Sequence, residues 1–146
     1  MTKRIGITSD HGGFALKAKI KDAFAEYEWV DLGTDSAESV DYPDFGYKLA
    51  EEIASGAVET GIAICGSGIG ISMALNRYKE VRAAVCHDVT TARLTRVDNN
   101  ANVLCLGARV VGDVVALDTV KAFLDTGFEA GGRHERRVKK LAEKGQ

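Results

Sequence analysis

Cys65 ends an apolar run, Gly61–Cys65 (GIAIC), and opens directly onto Gly66-Ser67-Gly68-Ile69-Gly70. A thiol at the start of a helix has its thiolate stabilised by free N–H groups and the helix dipole. Such a group suits a general base. The glycines let successive N–H groups point into one concavity, a nest for an oxyanion or a phosphate. The plainer alternatives are a small buried cysteine and a tight turn without a ligand. Cys86 and Cys105 lack such a loop, and core packing is the better reading for both.

Other polar groups fall at the expected strand ends. Asp10 and His11 precede Gly12-Gly13; they could bind substrate hydroxyls or phosphate, or only form a capped turn. Cys86-His87-Asp88 ends the fourth strand, Asp98-Asn99-Asn100-Ala101-Asn102 precedes the fifth, and Arg109 follows it. Arg133 and Arg137 are four apart and share one helical face, as a phosphate site or a solvated basic end. These groups are expected to converge on one edge of the sheet.

Three related readings fail at one position. A dinucleotide fingerprint needs a third glycine where Ile71 stands. A triphosphate loop needs lysine after its last glycine, and Ile71 is there instead. A cysteine phosphatase needs an arginine clamp at the same place.

The elements that must hold these residues alternate strand and helix. Strands are predicted at Arg4–Ser9, Trp29–Leu32, Gly61–Cys65, Arg82–Cys86 and Val103–Leu106. Helices are predicted at Phe14–Tyr27, from Pro43 to about Ser55, at Ile71–Arg77 and Thr90–Val97. Two more follow, Asp113–Leu124, with Val114, Val120, Phe123 and Leu124 inward, and a basic one over Arg133–Lys144. This order implies an α/β fold, a Rossmann-like three-layer α/β/α structure with a five-stranded parallel sheet. Ligands in such folds bind beyond the carboxyl ends of the strands.

The chain has 146 residues, 45% hydrophobic and 27% charged, which suits a single domain over 1–146. The net charge of −2 gives no basic field for nucleic acid. No stretch reaches the roughly 18 apolar residues that span a bilayer. Met1-Thr2-Lys3-Arg4 runs into a strand pattern without a signal-peptide core, so a cytoplasmic location is expected. Three widely spaced cysteines argue against disulfides or a zinc site.

Taken together, several stretches carry a resemblance: Ser9–Gly13, Asp41-Tyr42-Pro43, Ile64–Ser72, Asn99–Val103, Gly107–Gly112 and Gly131-Gly132-Arg133-His134-xx-Arg137-Val138. The chain resembles ribose-5-phosphate isomerase B and the galactose-6-phosphate isomerase subunits over nearly its whole length. The resemblance implies an aldose–ketose isomerase of phosphorylated sugars, most simply ribose 5-phosphate and ribulose 5-phosphate, that needs no metal or organic cofactor. It implies that Cys65 abstracts the proton, while Gly66, Ser67, Gly68, Ile69 and Gly70 hold the enediolate. Asp10, His11 and Asn99 would bind substrate, and Arg109, Arg133 and Arg137 its phosphate. Tyr42 and His134 are secondary candidates. It also implies a homodimer or dimer of dimers, with each site completed by the neighbouring subunit.

One position departs. Members that open a furanose ring usually carry histidine just before the asparagine matching Asn99, and here it is Asp98. An ionised carboxylate does not donate a proton. Either Asp98 keeps its proton, another group such as His11 or His134 acts, or the substrate is an acyclic tetrose phosphate. The competing class is a non-catalytic phosphosugar-binding protein, with a nucleotide-binding module third.

Overall fold

The computed structural model describes residues 3–144. Five strands form one parallel sheet in the order β2-β1-β3-β5-β4. They are β1 (Arg4–Ser9), β2 (Glu28–Asp31), β3 (Gly61–Cys65), β4 (Ala83–Val85) and β5 (Val103–Gly107). The helices are α1 (Phe14–Ala23), α2 (Tyr42–Ala54), α3 (Ile69–Leu75), α4 (Val89–Asn99), α5 (Asp113–Asp125) and α6 (Arg133–Glu143). The α/β fold class stands as the alternation of elements implied.

β3 and β5 are buried along their whole length because helices cover both faces of the sheet. Successive side chains take opposite faces. Ile62, Ile64, Leu104 and Leu106 pack with Leu16 and Ile20 of α1 and with Val120 and Phe123 of α5. Ala63, Cys65, Val103 and Cys105 pack with Leu49 and Ile53 of α2 and with Ile71 and Leu75 of α3. A continuous apolar run therefore reads as a central strand, not as one flank of a half-exposed sheet.

Local chemistry sets the helix ends. Pro43 occupies the first turn of α2, where its missing N–H costs nothing. Asp88 Oδ1 accepts the Thr91 N–H at 2.6 Å and starts α4. Asn100, at φ 47°, ends α4 in the left-handed region that asparagine tolerates.

Several boundaries and one orientation differ from expectation, among them α3, which spans Ile69–Leu75 and not Ile71–Arg77. α1 stops at Ala23, and residues 24–27 turn back, with the Trp29 indole N–H bonded to Phe24 C=O at 2.9 Å. β4 is shorter than its apolar run, because Arg82 donates instead to Asn102 Oδ1 and Asn100 C=O. α4 extends through Asp98 and Asn99. Val114 is 74% exposed, not inward; the inner positions of α5 are Ala116, Val120 and Phe123. Among the described residues, no helix is long and apolar enough to cross a membrane.

Candidate active site

The chain crosses from β1 to β2 on one side of the sheet and returns to β3 on the other. The carboxyl ends of β1 and β3 therefore flank a topological switch point, where open α/β sheets bind ligands. Asp10-His11 leaves one end and Cys65–Gly70 the other. Asp10 N–H bonds to Ile64 C=O at 3.2 Å, tying the two ends together. A Cβ on Gly12 would lie 3.4 Å from Gly66 N, so the two loops touch backbone to backbone.

Cys65 is 4% exposed, beside half-buried Gly66 and Ser67. Its Sγ accepts the Gly68 N–H at 3.2 Å. Gly68 reaches that position at φ 78°, in the left-handed region that favours glycine. Ser67 Oγ accepts the Ile69 N–H at 3.1 Å, so the hydroxyl stays beside the loop. The buried sulfur thus lies against a backbone amide of the glycine loop.

The remaining residues of this end close around the nest. Arg109 N–H bonds to Gly66 C=O at 3.0 Å, and its guanidinium lies 3.6 Å from where a Gly66 Cβ would stand. The Tyr42 ring covers Gly70, 2.7 Å from the position of a Cβ there. Glycine at 70 is what lets Tyr42 approach. His11 Nδ1 accepts the Val40 N–H at 3.1 Å, so the hydrogen of the neutral ring sits on Nε2 as a donor. Asp10 Oδ1 accepts the N–H groups of Gly12 (2.9 Å) and Gly13 (3.3 Å). Its carboxylate thus forms the capped turn that was one of its two readings.

A second group lies elsewhere. Asp98, Asn99, His134 and Arg137 line a hollow of about 340 Å³ between α4 and α6. His134 Nε2 is 3.6 Å from Asp98 Oδ1. Arg133 is exposed at the start of α6, outside that lining. The convergence of all these residues on one sheet edge does not hold within a chain. α4 runs back along the sheet, so its last residues sit at the amino ends of the strands. Asn102, just beyond, bonds to Gly61 N–H and Arg82 N–H there. All of β5, about 13 Å of rise, separates this group from Cys65.

A buried lysine outside the motifs supports this end of the sheet. Lys17 is 4% exposed, and its Nζ bonds to Asp31 Oδ1 (2.8 Å), Asp31 Oδ2 (3.0 Å) and Thr34 C=O (2.7 Å). Thr34 N–H bonds to Ser9 C=O at 3.0 Å. Burial alone would raise the Asp31 carboxyl, but hydrogen bonds from Lys17, Lys21 and the Gly33 N–H outweigh it and hold it below its ordinary range. The segment so anchored runs on to Val40, the partner of His11. A lysine among the apolar positions of a predicted helix was the available signal.

Comparison with known proteins gives the family of the whole chain. The profile of the ribose/galactose isomerase family matches residues 5–141. Ribose-5-phosphate isomerase B of Escherichia coli is 43% identical over 141 residues, covering 95% of this chain and 94% of its own. The solved Clostridium thermocellum ribose-5-phosphate isomerase B superposes with a TM-score of 0.93 at 52% identity, covering 96% of this chain and 95% of its own. The Thermotoga maritima enzyme of the same name gives 0.93 at 46% identity, covering 98% and 99%. With a cysteine at a glycine nest on the switch point of its sheet, this chain belongs to the ribose/galactose isomerase family and is an intramolecular oxidoreductase.

Proposed function

We propose that the protein interconverts ribose 5-phosphate and ribulose 5-phosphate through a cis-enediolate, with Cys65 as the base. The observation that carries this reading is the Gly68 N–H on Cys65 Sγ at the mouth of the nest. The sulfur removes the proton from C2 of the aldose, the electrons of that C–H bond form the C1=C2 double bond, and the carbonyl π electrons move onto O1. The thiol, whose proton exchanges with solvent at this stage, then protonates C1 while the O2 proton passes to O1, leaving the carbonyl at C2. Amides of the 66–70 loop and the Ser67 hydroxyl stabilise the charge on oxygen, where one donor is worth about 3 kcal/mol. His11 and Tyr42 border the sugar, and Arg109 lies on the phosphate side.

The reading includes a second copy of the chain. Asp98, Asn99, Arg133, His134 and Arg137 would reach the Cys65 end of a partner subunit. Their separation within one chain supports this. So does α6, which carries strong positive charge but buries none of its described residues. Ile69, Met73 and Tyr42 stand exposed beside the loop and offer an apolar surface for such docking. The whole described chain would then act as one domain within a homodimer or dimer of dimers, in the cytoplasm.

A second reading is favoured by Asp98. Its carboxylate faces His134, and no histidine occupies its own position. A tetrose 4-phosphate has its O4 blocked and needs no ring opening. A coupled assay over phosphorylated aldoses, in deuterated water, separates the readings. Fast turnover of ribose 5-phosphate with deuterium at C1 or C2 is the expected result. Preference for erythrose 4-phosphate would shift the substrate, and binding without exchange would leave a phosphosugar-binding protein.

A further inference from the structure

His87 belongs to the Cys86-His87-Asp88 group at the end of β4, and the reaction above gives it no part. β4 stays bonded to β5 as far as the Cys86 N–H on Cys105 C=O, at 3.2 Å. Asp88 then caps α4, and the chain leaves the sheet. β5 runs on. Ala108 N–H turns toward β3, to Cys65 C=O at 2.9 Å. Amides alternate sides along a strand, so the N–H of Gly107 faces the side that β4 has vacated. Gly107 is buried, and an unpaired amide there would be costly.

The His87 ring fills that gap. Its Nε2 accepts the Gly107 N–H at 3.0 Å. An imidazole with Nε2 as acceptor carries its hydrogen on Nδ1, and a doubly protonated ring has no acceptor to offer. A side chain thus stands in for the carbonyl that a longer β4 would have supplied.

The peptide held this way abuts the catalytic loop. A Cβ on Gly107 would lie 2.6 Å from the Ser67 carbonyl carbon and oxygen. A Cβ on Gly68 would lie 2.9 Å from the Leu106 carbonyl carbon and 3.1 Å from Gly107 N. The Leu106–Gly107 backbone and the Ser67–Gly68 backbone are therefore in contact with no side chain between them. Gly68 N–H is the group that touches Cys65 Sγ. A shift of Gly107 would move Ser67 or Gly68 directly.

We infer that His87 is a positioning residue for this site: it accepts the Gly107 amide, fixes the end of β5, and so holds the Ser67–Gly68 peptide against Cys65. The inference rests on Cys65 being the base. A purely structural role would satisfy the Gly107 amide and leave catalysis alone in any variant that folds.

The test uses three variants of the full chain. His87→Leu removes the acceptor. His87→Asn stays polar but is too short to reach. His87→Gln keeps a carbonyl oxygen near the Nε2 position. In the wild type, a ¹⁵N–¹⁵N coupling across the hydrogen bond between Gly107 and His87 reads the contact without any turnover. We expect the folded Leu or Asn variant to lose kcat by about 10²-fold, the scale of a small misplacement of reacting groups, with little change in KM. Binding of a phosphorylated hydroxamate that mimics the enediolate should weaken in parallel, and His87→Gln should recover most of kcat. Absence of the coupling, or folded Leu and Asn variants with normal kcat and normal hydroxamate binding, would overturn the inference. If the Leu variant fails to fold, the Asn and Gln pair decides. A wild type that turns over no sugar phosphate would instead remove the isomerase reading, and the coupling separates that failure from this one.

Discussion

Replacing Cys65 by alanine removes one buried sulfur and little volume. Turnover should fall by about 10²–10⁴-fold, the usual share of a general base. Far-ultraviolet circular dichroism should stay unchanged, and near-normal kcat in the variant would remove the proposed base. Gly68→Ala tests the other side of the same contact. Its φ of 78° costs a side chain about 1 kcal/mol, and the new Cβ would press on the Leu106 carbonyl at 2.9 Å. The variant should melt at a lower temperature and lose kcat more than it gains KM. A change in stability alone would show that the amide matters to folding only.

At the level of elements, the Lys17–Asp31 anchor makes a prediction about acid. Asp31 has its pKa lowered in the folded state, below its ordinary value of 3.8. A depressed carboxyl contributes stability above its unfolded pKa, and that contribution is lost as pH falls through the folded value. The urea midpoint of Asp31→Asn should therefore lie well below the wild type near neutral pH. The two should approach each other below pH 3.8. A gap that does not change with pH would mean that Asp31 acts through shape, not charge. Lys17→Met should cost about 3 kcal/mol, since it leaves a partly buried carboxylate without its main partner.

The whole molecule raises the question of how two distant groups serve one reaction. Arg137→Ala should mainly raise KM for phosphorylated sugars, because it lies far from the sulfur and would bind only the phosphate. If a partner supplies Arg137, the two variants can complement, read at a substrate concentration far below the KM of Arg137→Ala, where each variant alone turns over little. Mixed and exchanged, Cys65→Ala and Arg137→Ala would form heterodimers with one intact site in two. About a quarter of wild-type activity should return for a random C2 dimer. No recovery, with subunit exchange confirmed by mass, would place Arg137 and Cys65 in sites of the same chain or in no common site.

Much of the fold was legible in the sequence for local reasons. Apolar runs of five residues, such as Gly61–Cys65, can be strands covered on both faces, and glycines after a strand mark a turn. The Cys65–Gly70 segment is contiguous, so its chemistry could be read without knowing the fold. Helix ends were less legible where side chains from elsewhere set them, as Trp29 does for the end of α1. The direction of Val114 depended on where α5 meets the sheet. Only tertiary structure could show that Asp98 and Asn99 stand at the opposite end of the sheet from Cys65, because that follows from the return path of α4. The same is true of Lys17, His87 and Tyr42, whose partners are separated from them along the chain. Sequence determines chemistry that lies within one short segment; distance in space between segments is decided by packing, which no spacing of residues encodes.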